Sequence, residues 1–173
     1  MSALYPVLIG LCVAAVLLRD GYELLKMTDR IDPTDARVFA TVFGAMLVMW
    51  VSWFVLGYVA PRSVTVPEAL RWAGLVAVAA GAASVLGGMW SLRGVENIDH
   101  LVTTGLFSKV RHPMYLGFTL WILGWVAFAG TAANALIAPL ALASIAWWRY
   151  LEERELESRY GDAYTAYRAT TWV

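Results

Sequence analysis

The stretch KVRHPMYLG, residues 109–117, sets two cations and an imidazole directly before a proline and a long apolar run. Pro113 suits the first turn of a helix, so Arg111 and His112 stand beside backbone N–H groups that no helical carbonyl satisfies, at the positive end of the helix dipole. Such a setting suits an anionic group. Farther along, Arg149, Glu152 and Glu153 close another apolar run, and spacings of three and four put the arginine against both carboxylates on one helix face. Each cluster has a plain alternative: Lys109 and Arg111 as topology signals with His112 an interfacial residue, and Arg149 as a snorkelling partner of the glutamates. The two readings differ in whether the clusters meet. A convergent cationic and anionic site at a membrane boundary is a functional site by default.

Other chemistries lack their residues. His100 and His112 are the only histidines and no HExxH pattern occurs, which disfavours zinc. There is no G-x-S-x-G of a serine hydrolase, and no Walker A or G-x-G-x-x-G loop. A nucleotide-like cofactor would therefore be held without a Rossmann grip. Cys12 is the single cysteine, inside an apolar block, so it reads as a small apolar side chain.

The elements that must position these clusters are membrane helices. The chain has 173 residues, 60% of them hydrophobic, and nine tryptophans, with a mean hydropathy of +0.62. That is too apolar for an ordinary soluble domain. The formal net charge is zero, so nothing in the balance points to nucleic acid. Spanning a hydrocarbon core takes about 20 apolar residues, with a range of roughly 17 to 25. Five segments qualify: Ala3 to Leu18, of marginal length; Ala36 to Ala60, ending at Pro61; Pro67 to Trp90; Pro113 to about Gly130; and Ala132 to about Tyr150. Only a tight turn joins the last two, so they form an antiparallel hairpin and bring the two clusters to one membrane face. The expectation is an all-α, polytopic membrane protein with five transmembrane helices. Beyond the fifth, RYLEERELESRYGDAYTAYR continues the helical period with Leu156, Tyr160, Tyr164 and Tyr167, an amphipathic interfacial helix broken at Gly161. The third segment carries Ala80, Ser84 and Gly88 at four-residue spacing, a helix-packing face.

Eleven of the thirteen lysines and arginines, Arg93 among them, fall in segments that share one face if the N-terminus is outside, leaving Arg62 and Arg71 opposite. This predicts a cytoplasmic C-terminus and a cytoplasmic site. Residues 1–5 hold no lysine or arginine and no cleavage pattern follows, so the first block is expected to stay as a membrane helix. The whole of 1–173 is read as a single membrane domain, with a three-helix part over 1–98 and the two clusters within 99–173. Its oligomeric state is not legible, because small-residue faces pack equally well within and between chains.

The motifs LVTTGLFSKVRHPMYLG and, one hairpin later, EERELESRYGDAYTAY resemble those of the isoprenylcysteine carboxyl methyltransferase family, with parts shared by the phospholipid N-methyltransferases. The likeness runs from about Asp99 to Tyr167. It departs where Asp99 and His100 replace a displaced histidine and where Phe107 replaces a tyrosine. What the resemblance implies is S-adenosyl-L-methionine in an enclosed pocket at the cytosolic face. Carried over by position, the cofactor-facing residues are Leu101, Val102, Phe107, His112, Pro113, Met114, Tyr115 and Glu152. Arg149 would approach the acceptor, a membrane lipid or prenyl-type molecule entering from the bilayer.

The residue types suit that chemistry. A sulfonium cation near an apolar phase needs a carboxylate, here Glu152, and the donor's own carboxylate would meet His112 and the N–H groups near Pro113. Phe107, Tyr115 and Trp148 offer flat faces for adenine and the sulfonium. A carboxylate acceptor is already ionised at neutral pH and needs no base, whereas an amine would need Glu153 or His112 as one. The residues alone leave an O-, N- or S-acceptor open. They also leave open an NADPH-dependent membrane reductase and a non-catalytic membrane scaffold.

Overall fold

The computed structural model describes residues 4–92 and 100–172. Arg93 and Asp99 lie outside the described residues. Six α-helices are present among the described residues: α1 (Leu4–Met27), α2 (Ala36–Val59), α3 (Glu68–Leu92), α4 (Pro113–Ala129), α5 (Ala132–Tyr160) and α6 (Asp162–Thr170), with a 3-10 turn at Gly105–Ser108. The described residues hold no strands, only two isolated bridges, Arg62 with Thr131 and Val110 with Trp172. The chain is all-helical, as its periodicity requires. Helices α1, α2 and α3 are each long and apolar enough to cross a bilayer, and α4 is a shorter apolar helix. Large apolar side chains such as Leu47, Val76 and Leu86 are exposed on the outside of the bundle. Exposed to water, so much apolar surface would be a liability; in lipid it is not. The protein is an integral membrane protein.

The boundaries have local causes. The Asp35 side chain accepts the Arg37 N–H at 2.7 Å and caps α2. Pro113 starts α4 at its first position. Gly130 ends it with φ +63°, ψ +36°, a left-handed conformation that closes the turn without a Cβ clash. Thr131 then caps α5, accepting the Asn134 N–H at 3.3 Å, while Asn134 Nδ2 donates to the Trp53 carbonyl at 3.1 Å. The expected tight hairpin forms.

Two expectations are corrected. The first block does not end at Leu18: α1 runs on to Met27. Its polar extension survives as helix because those side chains have partners. Arg19 pairs with Glu23 one turn on, and Asp20 and Lys26 reach α5. The packing face of α3 holds Ser84 and Gly88 of the Ala80–Ser84–Gly88 row but not Ala80, which is exposed. The buried row is Gly74, Gly81, Val85 and Gly88, a seven-residue glycine repeat that meets Gly124 and Gly117 of α4. A Cβ on Gly81 would stand 2.6 Å from the Gly117 carbonyl oxygen, and one on Gly117 just as close to that of Gly81. The two backbones touch, as small residues permit in lipid. Ser84 adds a hydrogen bond to the Pro113 carbonyl at 2.7 Å, pinning the start of α4. The core on the other side of α4 joins Leu8 and Cys12 of α1, Trp53 and Leu56 of α2, Ile122 of α4, and Ile137, Ile145 and Trp148 of α5.

Candidate functional site

The hairpin brings the start of α4 against the last turns of α5, and the two polar clusters converge there. His112 caps α4 and is 4% exposed. Its Nε2 lies 3.2 Å from Glu153 Oε1 and its Nδ1 lies 3.8 Å from Glu152 Oε2. Arg111 Nε donates to the same Glu153 oxygen at 3.3 Å, and Arg168 Nε of α6 stands 3.9 Å from the other. Burial pushes the His112 imidazole down to about 4; Glu153 opposes the fall, and Arg149 and Arg111 reinforce it. Burial also pushes the Glu153 carboxyl up, but His112 and Arg111 outweigh it and hold the group below its usual range.

These directions fix the protons. An ionised Glu153 can only accept, so the neutral imidazole carries its hydrogen on Nε2 and the 3.2 Å contact is a hydrogen bond at neutral pH. Nδ1 is then an acceptor. It faces the half-exposed Glu152 carboxylate, another acceptor, at a distance too long for a direct bond. Two acceptors held face to face form a place for a cationic or donor group.

The C-terminal segment roofs this cluster. Arg111 Nη1 donates to the carbonyls of Thr171 and Arg168 at 2.7 and 3.2 Å. Trp172 N donates to the Lys109 carbonyl at 3.2 Å, so the chain beyond α6 lies beside the residues that precede α4. The Tyr167 hydroxyl donates to the Phe107 carbonyl at 2.6 Å. Tyr164 is 1% exposed, and its hydroxyl has no hydrogen-bond partner among the described residues. Burial, then Glu153, push that phenol up to about 12, so it stays a protonated donor. Its field comes from Glu153, Arg111, Glu152 and Arg168, which places an orphaned donor among the charges of the cluster.

The extension of α1 closes the remaining side. Tyr115 stacks on His112 with ring centroids 5.6 Å apart, bonds Glu152 through its hydroxyl, and lies in the field of Arg19 and Glu23. Asp20 accepts from Trp148 Nε1 at 2.7 Å and from Ser144 Oγ at 3.0 Å. The Arg19 guanidinium covers the Tyr22 and Trp148 rings at 4.8 and 5.1 Å.

Of the residues singled out from sequence, His112, Tyr115, Glu152 and Glu153 are drawn together, while Pro113 starts α4 and packs against α3. Phe107 is buried and tied to α6 through its carbonyl. Met114 packs against Gly88 of α3. Leu101 and Val102 are half-buried in the irregular segment before the 3-10 turn. Arg149 is exposed, and it reaches the cluster through its field on His112, while the cations beside Glu153 come from Arg111, His112 and Arg168. Sequence reasoning missed Arg19, Asp20, Glu23 and Tyr164. The leucine pairs at 17–18 and 24–25, one heptad apart, were the available signal that α1 continued.

Fold and site together define a helical integral membrane protein with a buried charge network at the open end of a hairpin. The sequence profile of the phospholipid methyltransferase family matches residues 69–163, more than half of the chain, and the chain belongs to that family. Over 80 residues it is 39% identical to the protein-S-isoprenylcysteine O-methyltransferase of Schizosaccharomyces pombe, covering 42% of this chain and 32% of that protein. Over 63 residues it is 40% identical to methanethiol S-methyltransferase 1 of Bradyrhizobium diazoefficiens, covering 36% of this chain and 21% of that one. A methanethiol S-methyltransferase of a Pseudomonas species is 36% identical over 63 residues, 36% of this chain and 24% of the relative. The chain thus spans a third or less of each of these relatives. No solved structure matches it significantly.

Proposed function

We propose that the protein is a methyltransferase of the membrane, taking the methyl group of S-adenosyl-L-methionine to a lipid-like carboxylate at the cytoplasmic face. In this reading α4 and α5 also cross the bilayer, giving five spans, an outer N-terminus, a cytoplasmic C-terminus and an interfacial α6. Residues 99–173 carry the site, and 1–98 supply helices that enclose it.

The observation that carries the reading is the paired-acceptor gap between His112 Nδ1 and Glu152, 3.8 Å wide, beside the orphaned Tyr164 hydroxyl. The donor's ammonium suits two facing acceptors, and its carboxylate suits a buried phenol donor and the N–H groups of α4's first turn. Glu152 and His112 would therefore hold the amino end, a more specific role for His112 than meeting the donor's carboxylate. Tyr115 and Phe107 would border adenine, with Leu101, Val102, Pro113 and Met114 lining the approach. When bound, the sulfonium would supply an electrophilic methyl group for the acceptor.

The rest is done by the chain. Arg149, exposed and within the field of His112, would orient the acceptor carboxylate by paired hydrogen bonds. Glu153 serves as the fixed anion that sets the His112 tautomer and locks Arg111 and α6 in place. Exclusion of water favours a reaction in which two opposite charges cancel. The acceptor class follows from the same geometry. Glu153 is occupied by cations and His112 takes up a proton only near pH 4, so neither is a competent base toward an alkylammonium. An acceptor already anionic at neutral pH is favoured. Two of the relatives are named for a thiol acceptor, which makes S-methylation of a small thiol the second reading.

The test uses the purified full chain in lipid nanodiscs with methyl-labelled S-adenosyl-L-methionine. Prenylcysteine-type carboxylates, fatty acids, phosphatidylethanolamine and small thiols are offered in parallel. Base-labile label on a carboxylate, a methyl ester, is the expected result. Base-stable label on the amine lipid would overturn the acceptor assignment, and label on thiols alone would move it to sulfur.

A further inference from the structure

A second polar site lies at the other end of the hairpin, about 25 Å away along the seventeen residues of α4. There the loop between α2 and α3 folds against the α4–α5 turn. The N–H groups of Ser63 and Val64 both donate to the Gly130 carbonyl at 3.0 Å, and Ser63 Oγ accepts the Ala132 N–H at 3.0 Å. These contacts wall a pocket of about 340 Å³ lined by Arg62, Ser63, Thr65, Arg71 and Gly130. Pockets that hold small ligands start at roughly 300 Å³. Arg71 is held in place, its Nε donating to the Phe128 carbonyl at 3.1 Å and its guanidinium lying 5.6 Å from the Phe128 ring. Arg62 and Arg71 are the only cations assigned to this face, and both line one pocket. The acid nearby is Glu68 of α3, one turn before Arg71, which faces Trp72 Nε1 at 3.4 Å.

Exposed Tyr58 lies in the last turn of α2 and exposed Trp72 in the first turns of α3, the helices that lead into and out of this loop, and the Phe128 ring lies against Arg71. Amphipathic aromatics of this kind gather at headgroup level. Two arginines, two hydroxyl residues and a headgroup-level position match a phosphodiester anion, whereas the positive-inside pattern gives no reason for the only two outer cations to share a cavity. We propose that this pocket binds the phosphate of an anionic phospholipid in the leaflet opposite the charge cluster, anchoring the hairpin turn.

The full chain in detergent is titrated with phosphatidylglycerol, with phosphatidylcholine of the same acyl chains and with inorganic phosphate, and bound lipid is counted by native mass spectrometry. One tightly held phosphatidylglycerol is expected, with a preference over phosphatidylcholine that falls about five-fold in Arg62→Gln, the effect of one arginine near a headgroup. Arg62 is exposed and enters the fold only through its backbone, so this variant keeps its structure; Arg71→Lys, which retains charge, should keep most of the preference. Arg30→Gln, on the other face, should leave it unchanged. Equal binding of the two lipids, or a preference untouched by Arg62→Gln, would overturn the site. Displacement of the lipid by millimolar inorganic phosphate would overturn the lipid as its ligand.

Discussion

Replacing His112 by glutamine removes a titration while keeping a donor for Glu153. The native imidazole is 2% exposed at its side chain, so solvent screens it little, and burial lowers it from 6.5 to about 4. A group so depressed contributes stability that is fully present above its unfolded value. That contribution is lost as the pH falls from about 6.5 toward 4, because the unfolded chain takes up a proton that the folded chain refuses. At about 1.4 kcal/mol per pH unit the loss amounts to about 3 kcal/mol, several degrees in Tm for a chain of this length. Thermal unfolding in detergent between pH 4 and 8 reads it as the difference between the native chain and His112→Gln, with the acids that do not touch His112 cancelling and Glu153 titrating together with its partner. The native protein should lose stability steeply below pH 6.5 and the variant much less. Parallel curves would mean that burial does not hold folded His112 below its unfolded value, and a native chain that gains stability over the variant below pH 6.5 would mean that folded His112 is protonated; either result would remove the basis for the inferred tautomer and its paired-acceptor gap.

Three further outcomes are expected. Glu152→Gln should weaken binding of S-adenosylhomocysteine by about ten-fold or more, the loss of a charge-assisted contact, while Arg149→Ala should spare that binding and depress methyl transfer; calorimetry and a turnover assay separate the two. Gly81→Ala should destabilise the chain by about 1–3 kcal/mol in thermal unfolding, because its Cβ meets the Gly117 carbonyl oxygen at 2.6 Å, whereas Ala80→Leu on the exposed face should be neutral. Asp20→Ala should cost about 2 kcal/mol by leaving Trp148 Nε1 and Ser144 without their acceptor, and a chain that unfolds at the native temperature would show that α1 does not close the site.

How far the sequence revealed this depended on whether the signal was local. The hairpin was legible because Pro113 starts one helix while Gly130 and Thr131 stop it and cap the next, all chemistry of neighbouring residues. Once the hairpin was given, His112 had to meet Glu152 and Glu153. The reach of α1 was not legible, since Arg19 to Lys26 look like a charged loop unless one knows that Trp148, Ser144 and Glu155 wait on α5. The packing row on α3 was read only in part, right at Ser84 and Gly88 but not at Ala80, for a related reason. Four-residue spacing was the pattern sought, but the partner helix carries glycines seven apart at 117 and 124, and the match of Gly74 and Gly81 to them exists only between helices. Tyr164 and Tyr167 read correctly as one helix face, yet only the fold distinguishes a hydroxyl bonded to the Phe107 carbonyl from one left without an acceptor.

The central claim is that the His112–Glu152–Tyr164 cluster holds the methyl donor. Calorimetry of the full chain in nanodiscs with S-adenosylhomocysteine, and with NADPH as comparator, tests it directly. The account predicts saturable binding of S-adenosylhomocysteine alone, weakened in Glu152→Gln and in Tyr164→Phe. Binding of NADPH alone, or S-adenosylhomocysteine binding that both variants leave intact, would contradict it.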